Sequence, residues 1–154
     1  MDFQKRMATN ADREDIEALV FSILKEYGLP PEPDGMDADL GNIETSYIRS
    51  GGAFWVVVSD DGRIVGTLGL APLRKGVVEL RKMYLASEVR GQGWGKRLLS
   101  EAIEEARRLG FYRIELETSS RLETAIRLYR SFGFQQVVMD HILPRCDQAF
   151  ALDL

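Results

Sequence analysis

The stretch of this sequence best suited to chemistry is "VRGQGWGKRLL", residues 89–99, in which glycines occupy positions 91, 93 and 95. It falls between a predicted strand that ends near Leu85 and a predicted helix that begins near Gly93. Glycine lets the main chain approach a ligand closely, and the first N–H groups of a helix stabilise phosphate oxygens. The spacing therefore indicates an anion site. The alternative is a tight turn from strand to helix with no ligand.

Two common phosphate loops do not fit this stretch. A Walker loop requires a hydroxyl residue after its lysine, but Arg97 follows Lys96. A dinucleotide fingerprint that begins at Gly91 requires a third glycine at position 96, which is Lys96. Local charge still favours an anion, because seven basic residues lie between positions 74 and 97 against only Glu79 and Glu88; the basic residues are Arg74, Lys75, Arg81, Lys82, Arg90, Lys96 and Arg97.

Length and composition limit the class of protein. A chain of 154 residues with 45% hydrophobic content predicts one globular domain over residues 1–154. The net charge of −4 argues against a general nucleic-acid binder. Because no signal-like or long apolar run is present, we expect a cytoplasmic protein without a membrane partner. A single cysteine, Cys146, and a single histidine, His141, exclude a disulfide framework and predict no metal site.

Hydrophobic periodicity predicts the elements that position this stretch, because strand and helix patterns alternate along the chain. The predicted strands cover residues 3–8, 54–59, 63–70, 77–85, 112–118, 134–140 and 148–154. The predicted helices run from a cap at residue 9 or 10 to residue 27, and then over 40–49, 93–109 and 123–132. The segment 28–42 holds three prolines and three glycines and reads as a long loop.

With these elements placed, the sequence resembles the GCN5-related N-acetyltransferases (GNAT), whose signature is Arg/Gln-x-x-Gly-x-Gly/Ala. The matching residues are Arg90-Gly91-Gln92-Gly93-Trp94-Gly95. The flanking stretches "ELRKMYL", "LETSSRLETAIRLYRSFGF" and "RCDQAFALDL" extend the resemblance over nearly the whole chain. The resemblance implies an α/β (α+β) fold: a mixed, mostly antiparallel sheet of six or seven strands with about four helices on both faces. The sheet would be splayed between its fourth and fifth strands.

The resemblance also implies acetyl-CoA as cosubstrate, held in that gap without a metal. The main-chain N–H groups of about Gly91 to Lys96 would hold its pyrophosphate. Main-chain groups around Met83 to Leu85 would pair with its pantetheine arm like an additional strand. The cofactor-binding residues implied in this way are Met83, Tyr84, Leu85, Arg90, Gly91, Gln92, Gly93, Trp94, Gly95 and Lys96. For Trp94 the alternative is an exposed aromatic with no defined role.

Two side chains are candidates for the chemistry of acetyl transfer. Glu79 lies eleven residues before Arg90, where base-using relatives carry a glutamate that acts through a water. The alternative is a strand-surface charge that pairs with a neighbouring Arg or Lys. Tyr129 occupies the Leu-Tyr position of the family, where the phenol protonates the departing coenzyme thiolate. The alternative is an aromatic that only packs on its helix.

One position departs from the family pattern. Leu122 stands where many members have an asparagine that contacts the coenzyme, so Ser119 or Ser120 is a candidate replacement.

The implied activity is an N-acetyltransferase that acts on a small-molecule or peptide amine by direct attack in a ternary complex. Two alternatives stay open: a non-catalytic acyl-CoA-binding module, and an acyltransferase that uses a hydroxyl or a longer acyl chain. Within eight residues, the loop after the first helix carries Glu32, Asp34, Asp37 and Asp39, which favours a cationic acceptor. The alternative is that these carboxylates only keep a mobile loop solvated. Exposed terminal strands make a homodimer plausible.

Overall fold

A computed structural model of the chain describes residues 2–138 and 145–154. Its centre is a seven-stranded sheet in the order β1-β2-β3-β4-β5-β7-β6. The strands are β1 (Phe3–Met7), β2 (Ala53–Ser59), β3 (Ile64–Arg74), β4 (Val77–Leu85), β5 (Arg113–Thr118), β6 (Gln135–Val137) and β7 (Gln148–Asp153). All neighbouring strands are antiparallel except β4 and β5.

Three α-helices and short helical turns cover the two faces of the sheet in the described residues. The α-helices are α1 (Arg13–Glu26), α2 (Trp94–Arg108) and α3 (Glu123–Ser131). One apolar cluster joins α1 to one face of the sheet, and a second joins α2 and α3 to the other face. The predicted mixed sheet with helices on both faces is confirmed.

The sheet splits where the resemblance places the gap. Strands β4 and β5 pair only from Val77 with Arg113 to Glu79 with Glu115. Beyond Glu79 the two strands diverge, so the edge of β4 from residue 80 onward has no partner strand among the described residues. The parallel contact followed by divergence confirms the splay between the fourth and fifth strands.

A bulge in β4 lies directly after this divergence. Thr67 pairs with Tyr84 while Gly69 pairs with Arg81, so two residues of β4 oppose one residue of β3. Lys82 has a φ of 55°, in the left-handed region that few non-glycine residues adopt. The Thr67 hydroxyl donates to the Lys82 carbonyl at 2.7 Å. The bulge therefore turns the Lys82 side chain toward the segment that follows α1.

Three predicted elements differ from those observed. The strand expected over residues 63–70 continues to Arg74. The helix expected over residues 40–49 is a 3-10 turn, Ala38–Asn42, followed by a π-helical turn, Glu44–Ile48. The strand expected over 134–140 covers only Gln135–Val137. The end of that predicted strand and His141 lie outside the described residues.

Candidate active site

The glycine-rich turn has the backbone conformation that its composition predicts. Gly91 and Gly93 have φ values of 75° and 85°, in the left-handed region that glycine adopts without strain. A Cβ added to either residue would meet no atom within 4 Å, so both face open space. The first hydrogen bond of α2 runs from the Arg97 N–H to the Gly93 carbonyl at 3.1 Å. The N–H groups of residues 94–96 therefore precede the helical ladder, as an anion site requires.

Gly95 differs from the other two glycines. It does not have a positive φ, and a Cβ there would lie 3.3 Å from Leu128 Cδ2 and 3.7 Å from Leu85 Cδ1. A larger side chain at residue 95 would therefore displace Leu128, because α3 packs closely against the first turn of α2.

Trp94 is not exposed, contrary to one of the two sequence interpretations. Its side chain is buried and packs edge-on against Phe3, with ring centroids 6.4 Å apart. The Arg97 guanidinium lies 4.5 Å from the centroid of its ring. The indole anchors the turn to the core, and only the main chain of Trp94 is left to face a ligand.

The polar side chains of the signature are occupied by protein contacts. Arg90 donates from Nε to the Leu85 carbonyl at 2.8 Å and holds both carboxylate oxygens of Glu26 at 2.7 and 3.0 Å. The Gln92 amide donates to the Glu88 carbonyl at 2.8 Å. These contacts fix the turn to the end of β4 and to the end of α1. The Arg90 side chain thus positions the turn instead of supplying a free charge to it.

A cavity of about 1530 Å³ follows the split in the sheet. The glycine turn borders it, and the unpaired part of β4 forms one wall. The predicted site residues that line it are Glu79, Met83, Tyr84, Leu85, Arg90, Gly91, Gly93, Gly95, Lys96 and Tyr129, whereas Gln92 and Trp94 do not. The exposed Lys96 lies beside the glycines and keeps a cation at the turn.

Tyr129 projects from α3 into this cavity and is 4% exposed. Its ring packs against Phe134 and Phe150, with centroids 5.7 and 6.4 Å away. Burial, with a smaller contribution from Tyr84, raises the pKa of the Tyr129 hydroxyl. That hydroxyl has no hydrogen-bond partner within residues 2–138 and 145–154. Tyr129 therefore packs in the core, as one interpretation expected, and its hydroxyl is also free to act in the cavity, as the other required.

Glu79 lies at the last paired position of β4, where the split begins. Its side chain is mostly buried and is hydrogen-bonded to Arg81, two residues further along the same strand. Glu79 therefore forms the ion pair that the alternative interpretation expected, while its carboxylate also lines the cavity. The geometry is compatible with both roles.

The loop after β5 indicates which serine could replace the coenzyme-contacting asparagine of other family members. Leu122 lines the cavity at the start of α3 and packs on the cluster around α1. Ser120 donates its hydroxyl to Asp147 at 2.6 Å, and Asp147 also accepts from the Ser120 N–H. Ser119 is buried and lines the cavity. Of the two serines, only Ser119 is placed to face a ligand.

The acidic loop does not present the free negative charge that its composition predicted. Asp37 is fully buried and pairs with Arg145 and Lys82. Asp39 pairs with Lys82 and accepts from the Tyr47 hydroxyl. These contacts pair two of the four carboxylates with cations, and the other two, Glu32 and Asp34, do not line the cavity. The support for a cationic acceptor is therefore weaker than the composition indicates.

Sequence reasoning missed the partners of these carboxylates. Arg145 lies 108 positions from Asp37, and Lys82 points toward the loop only because of the bulge in β4. No local pattern signals either contact. Cys146, next to Arg145, lines the cavity as a buried thiol, and burial raises its pKa to about 11.

The described residues contain no group of three or more His, Cys, Asp or Glu side chains placed to hold a metal ion. In the same residues we find no helix with the length and apolarity needed to cross a membrane.

Comparison with known proteins agrees with this architecture. Residues 18–134 match the sequence model of the Acetyltransferase (GNAT) family. The uncharacterized N-acetyltransferase YjgM of Escherichia coli strain K12 is 37% identical over 137 residues, which cover 86% of this chain and 81% of that protein. This chain therefore belongs to the GNAT family.

Solved structures of the family have the same fold. An acetyltransferase of the GNAT family from Staphylococcus aureus Mu50 superposes with a TM-score of 0.93 at 25% identity, and 99% of each chain is covered. A phosphinothricin acetyltransferase of Sinorhizobium meliloti, solved in complex with AcCoA, has a TM-score of 0.77 at 24% identity; the match covers 100% of this chain and 89% of that one.

Proposed function

We propose that this chain is an N-acetyltransferase that transfers an acetyl group from acetyl-CoA to a primary amine by direct attack in a ternary complex. The observation that carries the proposal is the cavity in the split sheet, which the glycine turn, Glu79 and Tyr129 all line. Family membership and the names of the relatives support the same class of reaction.

The residues of the split fit acetyl-CoA. The N–H groups of residues 91–96 and the Lys96 ammonium are suited to the pyrophosphate. The unpaired edge of β4 around Met83 and Leu85 offers main-chain groups to the pantetheine amides, as an added strand would use them. When bound, acetyl-CoA supplies the activated acetyl group.

Glu79 is the proposed base for the acceptor. A lysine-like amine is neutral in about one molecule in 10³ at pH 7, so its deprotonation is a large part of the barrier. A carboxylate at the start of the split can accept the amine proton through one water. Arg81 holds that carboxylate in place from the same strand.

Tyr129 is the proposed proton donor to the departing thiolate. Its raised pKa keeps the phenol protonated at neutral pH. Its hydroxyl is available because no described residue accepts from it. The phenol would give its proton to the sulfur as the carbon–sulfur bond breaks, and would recover one from solvent or from the acceptor side after CoA leaves.

The test is a thiol-release assay with acetyl-CoA and a panel of amines that contains spermidine, L-lysine, L-alanine and the peptide tri-alanine. We expect free CoA thiol to appear with at least one amine. A binding module would retain acetyl-CoA without releasing thiol whichever amine is added. An acyl-CoA series of increasing chain length, and hydroxyl acceptors in place of amines, test the remaining alternative.

The homodimer stays a prediction, and light scattering coupled to size-exclusion chromatography would measure it.

A further inference from the structure

A buried carboxylate joins three segments of the chain beside the cavity wall formed by Gly35, Met36 and Asp39. Asp37 accepts from both terminal nitrogens of Arg145, at 2.7 and 2.5 Å, and lies 3.1 Å from the Lys82 ammonium. It also accepts from the Glu32 N–H at 2.8 Å. The side chains of Asp37, Arg145 and Lys82 are 0%, 5% and 7% exposed. We call these three residues the Asp37 clasp.

The clasp bridges the two halves of the split sheet. Lys82 belongs to β4, in the half formed by β1 to β4, whereas Arg145 precedes β7, in the half formed by β5, β7 and β6. Both lie beyond the point where β4 and β5 stop pairing. Asp37 itself comes from the loop after α1. One carboxylate thus neutralises a cation from each half across the opening.

The same two cations also hold the loop by its main chain. Lys82 donates to the Met36 carbonyl at 3.2 Å, and Arg145 donates to the Pro30 carbonyl at 3.2 Å. Gly35, Met36 and Asp39 of this loop line the cavity. The position of that wall therefore depends on contacts that all converge on Asp37 and its two partners.

We propose that Asp37 is a positioning residue for the acceptor: it fixes the cavity wall formed by residues 35–39 against both halves of the sheet. The inference rests on the proposed function for its kinetic consequence. Without the carboxylate, two buried cations repel each other and lose their shared partner, so the loop separates from Arg145. Among the described residues, none of the three clasp side chains contacts the glycine turn, so we expect the pyrophosphate contacts of acetyl-CoA to be retained.

The experiment compares Asp37→Asn with the parent protein, using the panel amine that gives the highest kcat/KM. We expect the acceptor KM to rise about tenfold or more, while kcat and the Kd for acetyl-CoA change by less than about threefold. Amide hydrogen exchange should accelerate in residues 29–40 and 145–149.

Asp12→Asn is the matched control. Asp12 holds Arg6 through two hydrogen bonds of 2.8 Å and accepts the Thr9 N–H at 2.9 Å, and it does not line the cavity. The Asp12→Asn change removes the ion pair with Arg6, and neither residue lines the cavity. An equal rise in acceptor KM in this control would show that general destabilisation, not the clasp, is responsible.

A second variant covers the case in which Asp37→Asn does not fold. Arg145→Lys keeps the charge and loses the planar fork, so it should raise the acceptor KM by a smaller factor. Unchanged KM and unchanged exchange in folded variants would overturn the clasp. If the parent protein releases no thiol with any amine, the proposed function fails, while hydrogen exchange alone still decides whether Asp37 holds the loop.

Discussion

The proposed chemistry depends most directly on Tyr129 and Glu79, so substitutions at these two residues test it best. Both line the cavity of the split sheet, and their surroundings differ in kind. Tyr129 is enclosed by aromatic rings and has a raised pKa, so its phenol stays protonated at neutral pH. Glu79 is held in an ion pair with Arg81, which fixes the position of its carboxylate.

Replacing Tyr129 by Phe removes only the hydroxyl. Because that hydroxyl has no partner among the described residues, the change should leave stability and acetyl-CoA affinity nearly intact. We expect kcat to fall by roughly 10- to 10³-fold, the range of a lost general acid or somewhat below it. Thiol release gives kcat and calorimetry gives the affinity. Tyr112→Phe, at an exposed tyrosine, is the control, and normal turnover in Tyr129→Phe would make Tyr129 a packing residue only.

Replacing Glu79 by Gln should reduce turnover in a pH-dependent way. The loss should be largest below the pKa of the acceptor amine, where deprotonation limits the rate, and smaller at high pH. A pH profile of kcat/KM measures this. Glu115→Gln is a suitable comparison, because Glu115 is the residue of β5 opposite Glu79 in the strand register and also lines the cavity. A loss of equal size at every pH would instead assign Glu79 a structural role.

The glycine turn carries the proposal at the scale of the element. Gly93→Glu places a side chain and a negative charge where the pyrophosphate is proposed to bind, so acetyl-CoA binding should be abolished in calorimetry. Gly110→Glu is the matched control, since Gly110 also has a positive φ, 92°, and open space around its Cβ position, but it lies at the end of α2. Equal affinity in the Gly93 variant and the parent protein would exclude the turn as the phosphate site.

Elements that depend on local sequence were predicted well. The bounds of β4, residues 77–85, agree with prediction because Gly76 closes a tight turn before it, with a φ of 76°, and apolar residues recur along it up to Leu85. The glycine turn and the start of α2 were likewise recognisable from the spacing of glycines. The helix expected over residues 40–49 has the predicted position but 3-10 and π geometry, which the apolar pattern does not distinguish.

Contacts between distant segments could not be predicted. The left-handed Lys82 leaves no mark in the sequence, since its neighbours are ordinary strand residues. Arg90 pairs with Glu26, which lies 64 positions earlier in the chain. Because no local pattern shows this ion pair, the sequence alone places Arg90 among the cations available to an anion. The fold of the site followed from its motif, whereas the charge state of its walls depends on which distant groups pair.

For the molecule as a whole, the Asp37 clasp makes the free energy of unfolding depend on pH in the acid range. Burial alone would raise the pKa of Asp37, but hydrogen bonds from Arg145 and the Glu32 N–H and the charges of Lys82 and Arg145 outweigh it and lower the pKa from 3.8 to about 2. A group whose pKa is lower in the folded state stabilises the fold above its unfolded pKa. That stabilisation is lost as pH falls from about 4 toward 2.

We therefore expect the free energy of unfolding to lose on the order of 2 kcal/mol through Asp37 between pH 5 and pH 2. In Asp37→Asn this part of the pH dependence should be absent, although the variant is less stable at neutral pH. Urea unfolding at several pH values measures both. Asp34→Asn, on the exposed part of the same loop, should keep the parent pH dependence. Parallel pH curves for the parent protein and Asp37→Asn would contradict the assignment.

Because Gly95 lies close to Leu128, we expect a substitution at residue 95 to change both the affinity for acetyl-CoA and the turnover rate. Leu128 precedes Tyr129 on α3, and even one added methyl group at residue 95 would press on it. Gly95→Ala should therefore displace the Leu128 side chain by a few tenths of an ångström and change both the Kd for acetyl-CoA and kcat. Gly93→Ala meets no neighbouring atom, so the strain of its left-handed backbone stays in the turn and should change the Kd more than kcat. The first turn of α2 thus links the proposed phosphate site to the proposed proton donor.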